Sequence, residues 1–270
     1  MTSPVRASTR ISIAWSGAEG YEDTDTLVLT INGWSLDLRV YSGGPHKGEV
    51  EWATVGNVIE LEGSTDGASG VLRSFLMCRR GVIASRVVEW GRSHTDITIT
   101  RSSIPADSSS SPADKPMLRW DHIIDTHPPS SVPDQGTFIT LPNGDVSEVG
   151  VMHNLATGQT EPYEEVWRRF PREVGDYCVL ERLGGDRGAK AFVGRIGSRA
   201  LGLGMDADGV FTGWREEKGG SGWRRVYEFN GNNGNAGLQS LPDPIPAEWK
   251  EGQEVELGGA TWNVRTVGKL

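Results

Sequence analysis

The most constraining feature of this sequence is a pair of alternating segments on either side of Asn32-Gly33. Large apolar residues occupy every second position in 26–31, and the same alternation resumes in 34–41. An Asn-Gly pair favours a two-residue type I′ turn, because both central positions of that turn need a positive φ. The pattern therefore predicts an antiparallel hairpin whose strands each carry one apolar face.

Similar short segments recur along both halves of the chain. Further strands of the first half are predicted at 9–15, 49–62, 71–79, 82–90 and 95–101. Those of the second half are predicted at 176–183, 189–196, 199–205, 209–216, 222–230, 253–257 and 261–267. No helix-length periodic segment separates them, and 36 glycines with 10 tryptophans favour strands, turns and aromatic anchors. Each half thus offers enough strands for a small antiparallel barrel that holds one ligand.

The middle of the chain carries the only helix signal. A strand at 117–124 and a hairpin with its turn at 142–145 precede a short helix predicted from Pro162 to Phe170. Proline suits the first turn of a helix, and the acidic residues that follow it suit the N-terminal dipole. The apolar side chains follow helical spacing: Tyr163, Val166, Trp167 and Phe170. The Ser- and Pro-rich stretch 102–116 is predicted to be a solvated loop.

Charge and hydropathy limit the partners and the location. A net charge of -9 argues against nucleic acid and anionic membranes, since both require a cationic footprint. No apolar run approaches the roughly 20 residues that span a bilayer, and the N-terminus lacks a secretory signal. These features predict a cytoplasmic protein without a membrane span. Cys78 and Cys178 are predicted to be buried free thiols, and the alternative is a disulfide between them.

Several motifs occur in an order that resembles a known family. They are Trp120-Asp121-His122-Ile123-Ile124-Asp125, the turn 141–145, the segment 163–168, and the runs 50–53, 194–197, 223–226 and 261–264. This order resembles the fungal Hri (Hrr-kinase-interacting) proteins over about residues 10–267. The resemblance implies an all-β fold of two lipocalin-like antiparallel β-barrels joined by a central segment. The expected domains are a barrel at 1–116, bridging strands with one short helix at 117–171, and a barrel at 172–270.

The candidate site is centred on Trp120 and His122, which share one face of the 117–124 strand. His122 between two apolar neighbours is either a satisfied core histidine or a general base that faces a cavity. In the second half, Glu181 and Arg195 either form an ion pair or anchor a polar ligand. The predicted catalytic residues are His122 as proton acceptor, Arg195 as oxyanion donor, and Tyr177. The predicted substrate-binding residues are Trp120, Trp214 and Glu181.

Two functions are compatible with this site. One is a cofactor-independent isomerase or cyclase of a small apolar or phenolic, polyketide-like metabolite, because ring closure needs mainly a shaped pocket and one or two proton-handling groups. The alternative is a non-catalytic binding or scaffold protein for a hydrophobic ligand or a protein partner. No metal-ligand cluster, nucleophile elbow or dinucleotide motif occurs in the sequence, so neither metal nor cofactor is predicted. The oligomeric state is left open.

Overall fold

The protein is built from β-strands. The computed structural model describes residues 5–61, 117–184, 188–230 and 238–270. Fifteen strands lie in these ranges: β1 (Arg6–Trp15), β2 (Thr24–Ile31), β3 (Trp34–Tyr41), β4 (Val50–Leu61), β5 (Met117–Asp125), β6 (Asp134–Thr140), β7 (Val146–Asn154), β8 (Gln159–Arg169), β9 (Asp176–Arg182), β10 (Lys190–Ile196), β11 (Arg199–Met205), β12 (Phe211–Gly219), β13 (Gly222–Phe229), β14 (Glu254–Leu257) and β15 (Ala260–Lys269). The predicted strands at 71–79, 82–90 and 95–101, the loop 102–116 and Cys78 lie outside the described residues.

Strands β1 to β8 form a closed antiparallel barrel, in which β8 pairs with both β7 and β1. The predicted hairpin is confirmed: Ile31 pairs with Trp34, and Asn32 and Gly33 have φ of 48° and 88°. Because every strand of the barrel has two neighbours, its interior is enclosed by paired backbone.

Strands β9 to β15 form a second unit. It is a seven-stranded antiparallel sheet in the order β13-β12-β11-β10-β9-β15-β14. The predicted all-β architecture of two units is therefore confirmed. Within the described residues, β13 and β14 are the edges of this sheet, so closure into a second barrel is not seen there.

The predicted helix from Pro162 to Phe170 is wrong, because residues 162–169 belong to β8, which ends at Arg169. Tyr163 and Glu165 are both buried and lie two residues apart, which is the period of a strand. The apolar residues of this segment match the helical period and not alternation, because the buried position between Tyr163 and Trp167 is occupied by the charged Glu165. Pairing with β1 and β7 on both sides decides for the strand, since closure of the barrel requires it.

The main apolar core lies outside the barrel wall, between the two units. The apolar faces of β2, β3 and β4 contact those of β9, β10 and β11 there, and the fully buried members of this cluster include Leu27, Leu29, Ile31, Leu36, Leu38, Val55, Phe192, Leu201 and Leu203. Because side chains alternate along a strand, the opposite, more polar faces of β2 and β3 turn into the barrel. This arrangement gives the barrel a polar interior.

A second apolar cluster covers the far face of the seven-stranded sheet. Trp214 and Trp262 are buried in it beneath Leu241 and Ile245 of the segment that precedes β14. Cys178 is a free thiol in this cluster, and burial raises its pKa to about 12. The prediction of a buried free thiol is confirmed for this residue. No helix in the described ranges is long and apolar enough to cross a bilayer.

Candidate functional site in the barrel interior

Polar and charged side chains line the barrel interior. The buried members of this lining are Ser8, Arg10, Thr24, Thr26, Thr30, Ser35, Asp37, Arg39, Thr54, Glu148 and Glu165. A charged group that leaves water requires hydrogen-bond partners. The partners of these side chains therefore decide what else the interior can bind.

Two arginines and two carboxylates form the centre of this lining. Glu165 Oε1 accepts hydrogen bonds from Arg10 Nη1 at 2.8 Å and from Arg39 Nη1 at 2.9 Å. Arg39 also donates to Asp37 Oδ2, from Nε at 3.0 Å and from Nη2 at 2.9 Å. Arg10 and Glu165 are 155 residues apart in the chain and meet only because β1 pairs with β8. The planar guanidinium groups are held rigidly by these bonds.

Two carboxylate oxygens beside this network have no partner. Asp37 Oδ1 and Glu51 Oε2 are buried and form no hydrogen bond with any described residue. Burial raises the pKa of both carboxyl groups, and the charge of Arg39 opposes the increase. In either protonation state, a buried carboxyl oxygen without a partner is costly. A bound molecule with hydrogen-bond donors would remove that cost.

Aromatic rings form another part of the wall. Arg39 Cζ lies 4.5 Å from the centroid of the Trp52 ring and 5.4 Å from that of Trp167. On Trp52, the ring of His127 stacks at 4.6 Å with an interplanar angle of 1°. Trp120 contacts Phe138 at a centroid distance of 5.8 Å. Flat rings next to fixed charges favour a ligand that is itself flat and polar at its edges.

The lining encloses two adjoining hollows. The outer hollow has a volume of about 660 Å³ and is bordered by Trp15, Tyr21, Tyr41, Glu51 and His127, among others. The inner hollow has a volume of about 380 Å³, and Asp37, Glu148, Tyr163 and Trp167 border it. Six residues border both: Arg39, Trp52, Trp120, His122, Asp134 and Met152. These volumes suit a small organic molecule.

His122 is held between two carboxylates in the wall shared by the hollows. Its Nδ1 lies 2.7 Å from Asp125 Oδ2, and its Nε2 lies 3.1 Å from Asp134 Oδ2. Burial alone would lower the pKa of His122, but the hydrogen bonds to Asp125 and Asp134 outweigh it and raise the pKa to about 9. At neutral pH the ring is an imidazolium that donates from both nitrogens.

This geometry predicts a pH-dependent stability. The folded-state pKa of His122 is about 9, above the ordinary histidine pKa of 6.5, so its contribution to stability is fully present below pH 6.5 and is lost as the pH rises through 9. The expected loss from this group between pH 6 and pH 10 is about 2–3 kcal/mol. Urea denaturation at each pH should show this slope in the wild type and not in His122→Gln. His153 is exposed and supplies the control, so His153→Gln should keep the pH dependence of the unfolding free energy. The same pH dependence in all three proteins would show that it does not arise from His122.

Among the carboxyl groups that border the inner hollow, Glu148 has the most strongly raised pKa. Burial raises its pKa well above the usual range, and the nearby charges of Glu165 and Asp134 add to the increase. Its Oε1 accepts a hydrogen bond from the Tyr163 hydroxyl at 2.7 Å, and its Oε2 accepts one from Trp167 Nε1 at 2.9 Å. This setting favours the protonated form of the Glu148 carboxyl group.

The structure brings only part of the predicted site together. Trp120 and His122 border both hollows. Tyr177 belongs to the second sheet and lies on its barrel-facing side, where its hydroxyl is 3.4 Å from Asn32 Nδ2. Arg195 and Trp214 lie on the opposite side of that sheet, where Arg195 Nη1 donates to the Pro242 carbonyl at 2.8 Å. Neither hollow is bordered by residues of the second sheet.

The alternative of a Glu181–Arg195 ion pair is wrong. The register of β9 and β10 places Glu181 opposite Phe192, three residues away from Arg195. Glu181 pairs instead with Arg265 of β15.

Sequence reasoning missed Arg10, Asp37, Arg39 and Glu165, which form the centre of the site. The available signal was the second face of the hairpin, where Asp37 and Arg39 alternate with fully buried leucines. Charged residues between buried apolar residues indicate that both faces of a strand are covered. Within the described residues, no three His, Cys, Asp or Glu side chains are arranged to hold a metal ion.

Comparisons with known proteins give a family and a fold. A family model described as Protein HRI1 matches residues 6–265 of this chain. The crystal structure of an uncharacterized protein from Saccharomyces cerevisiae is similar, with a TM-score of 0.63 and 15% sequence identity over 97% of this chain and 98% of that chain. At that identity the likeness shows the fold alone. No curated protein matches the sequence.

Proposed function

This chain belongs to the HRI1 family, and we propose that it binds a small hydroxylated aromatic molecule inside the closed barrel. The observation that carries this proposal is the unpartnered Oδ1 of Asp37, a residue only 7% exposed, in the wall of the inner hollow. A ligand hydroxyl that donates to this oxygen would supply the missing hydrogen bond.

The chemistry of the walls narrows the ligand class. A purely apolar molecule would displace water from Asp37, Glu51 and the arginines without replacing its hydrogen bonds, which opposes binding. A phenol-like molecule offers a ring to the tryptophan walls and a hydroxyl to Asp37. Of the apolar and phenolic ligands expected from the sequence, the described interior therefore favours the phenolic one.

A matched pair of probes tests this function. Calorimetric titration should show binding of 6-hydroxy-2-naphthamide, with an affinity at least about tenfold higher than that of 6-methyl-2-naphthamide, which has a methyl group in place of the hydroxyl. Absence of binding, or equal affinity for the two compounds, would overturn the proposal.

Two tryptophan variants locate the binding. Trp120→Ala should weaken binding of 6-hydroxy-2-naphthamide by about tenfold, because Trp120 borders both hollows. Trp223→Ala is the matched control: Trp223 is also partly buried, but it lies on the second sheet and donates to Asp243. If Trp223→Ala weakens binding as much as Trp120→Ala does, the ligand does not occupy the barrel.

Catalysis is a second candidate, and the raised pKa of Glu148 is the observation that favours it. In a cofactor-independent isomerase or cyclase, Glu148 would act as a general acid that donates its proton to a substrate carbonyl oxygen. His122, the proton acceptor predicted from the sequence, has both nitrogens held by carboxylates. The test is exchange of the α-hydrogens of 2-tetralone in deuterated water, followed by NMR. Faster exchange with the wild type but not with Glu148→Gln would support this candidate, whereas equal rates would remove it. Glu19→Gln, at an exposed position, is the control.

A further inference from the structure

One end of the inner hollow is lined by hydrogen-bond donors. Arg6 and Ser8 of β1, Thr30 of β2, Ser35 of β3 and Arg169 of β8 border it, and we call this group the donor end. The register joins them, since Arg6 pairs with Thr30, Thr30 with Ser35, and Ser8 with Arg169.

The donor end lies where β1 begins and β8 ends, and its side chains are not paired with one another. Ser8, Thr30 and Ser35 are 8%, 6% and 4% exposed. Among the described residues, none of their hydroxyl groups and neither of the two guanidinium groups has a hydrogen-bond or ion-pair partner. Arg6 is partly buried and Arg169, the last residue of β8, is exposed, so the donor end runs from buried hydroxyls to the surface of the barrel. Buried residues whose hydroxyls have no partner are unusual, because buried polar side chains in proteins are normally paired.

The two arginines of the donor end repel each other. They lie on neighbouring strands and face the same interior, since Arg6 is two residues from Ser8, the partner of Arg169. Burial and the charge of Arg169 lower the pKa of Arg6, and Glu148 partly offsets this. An anion between the two guanidinium groups would relieve the repulsion and accept bidentate hydrogen bonds.

We propose that the ligand of the inner hollow carries a carboxylate, which the donor end binds through Arg6 and Arg169. This inference rests on the proposed function and adds the second end of the ligand. Asp37 lies two residues along β3 from Ser35, a rise of about 7 Å. The hollow therefore has an acceptor for a hydroxyl at Asp37 and, beginning at Ser35, donors for a carboxylate. A flat hydroxylated aromatic acid matches both ends.

The experiment compares 6-hydroxy-2-naphthoate with its neutral amide, 6-hydroxy-2-naphthamide, by calorimetric titration. The wild type should bind the carboxylate at least about tenfold more tightly than the amide. The double variant Arg6→Gln/Arg169→Gln should lose this preference and retain the affinity for the amide. Arg168→Gln is the matched control, because Arg168 is the neighbour of Arg169 but pairs with Asp145 at 2.8 Å and does not border the hollow.

The outcomes separate this inference from the proposed function. If the amide binds the wild type and the carboxylate binds no better, the donor end does not take an anion and only this inference fails. If the preference for the carboxylate survives in the double variant, or disappears in Arg168→Gln, it arises elsewhere and the inference also fails. If neither compound binds, both proposals fail together.

Discussion

The variant Glu165→Ala should lose about 3–5 kcal/mol of unfolding free energy. Glu165 is 2% exposed and accepts hydrogen bonds from Arg10 and Arg39, so its removal leaves two buried guanidinium groups without their shared acceptor. Other carboxylates remain near these arginines, but Glu165 is the one that joins them. Urea denaturation followed by circular dichroism measures the loss.

An exposed glutamate provides the control for this variant. Glu19 lies on the surface, and Glu19→Ala should change the unfolding free energy by less than about 0.5 kcal/mol. A loss below about 1 kcal/mol in Glu165→Ala would mean that water solvates the arginines, and that the barrel interior is not the desolvated network described above.

The variant Phe192→Ala should lose about 3–5 kcal/mol, because Phe192 is fully buried in the apolar core between the barrel and the second sheet. Its ring lies 5.6 Å from that of Trp34, on the outer face of the barrel. Since the two units share this core, both should unfold in one transition, and the midpoint of that single transition should fall.

Thermal unfolding followed by circular dichroism and by tryptophan fluorescence checks this expectation. Val174→Ala is the control, since Val174 is 84% exposed and its truncation should leave the midpoint unchanged. Two separate transitions in Phe192→Ala, with one midpoint equal to that of the wild type, would show that the barrel is stable without the second sheet.

The sequence predicts the strands well because their signals are local. The alternation around Asn32-Gly33 needs only neighbouring residues and a turn that favours positive φ, and both are present in the structure. The order of motifs that resembles the fungal Hri family is likewise read along the chain, and the family is confirmed. The helix predicted from Pro162 to Phe170 is wrong because the apolar residues of the segment follow the helical period, whereas pairing with two strands that are distant in the chain makes it extended.

The position of the barrel interior could not be predicted. Alternation gives β3 an apolar face and a face with Asp37 and Arg39, but it does not say that the apolar face is the outside of the barrel. That depends on the second sheet, which covers the leucines of β2 and β3. Trp120 and His122 were predicted to share a strand face, and both border the two hollows.

The residues of the second half that were predicted to join Trp120 and His122 could not be placed from the sequence either. Tyr177 and Arg195 lie on opposite sides of one sheet, because the register of β9 and β10 pairs Tyr177 with Ile196 and Arg195 with Cys178. Glu165, the acceptor that joins Arg10 and Arg39, becomes part of the site only through closure of the barrel.

The most direct measurement is a crystal structure of the protein with 6-hydroxy-2-naphthoate bound. We expect the ring system in the inner hollow, its hydroxyl donating to Asp37 Oδ1, and its carboxylate between Arg6 and Arg169. A ligand bound on the second sheet, or an inner hollow that holds only water at saturating ligand, would contradict the assignment of the barrel interior as the binding site.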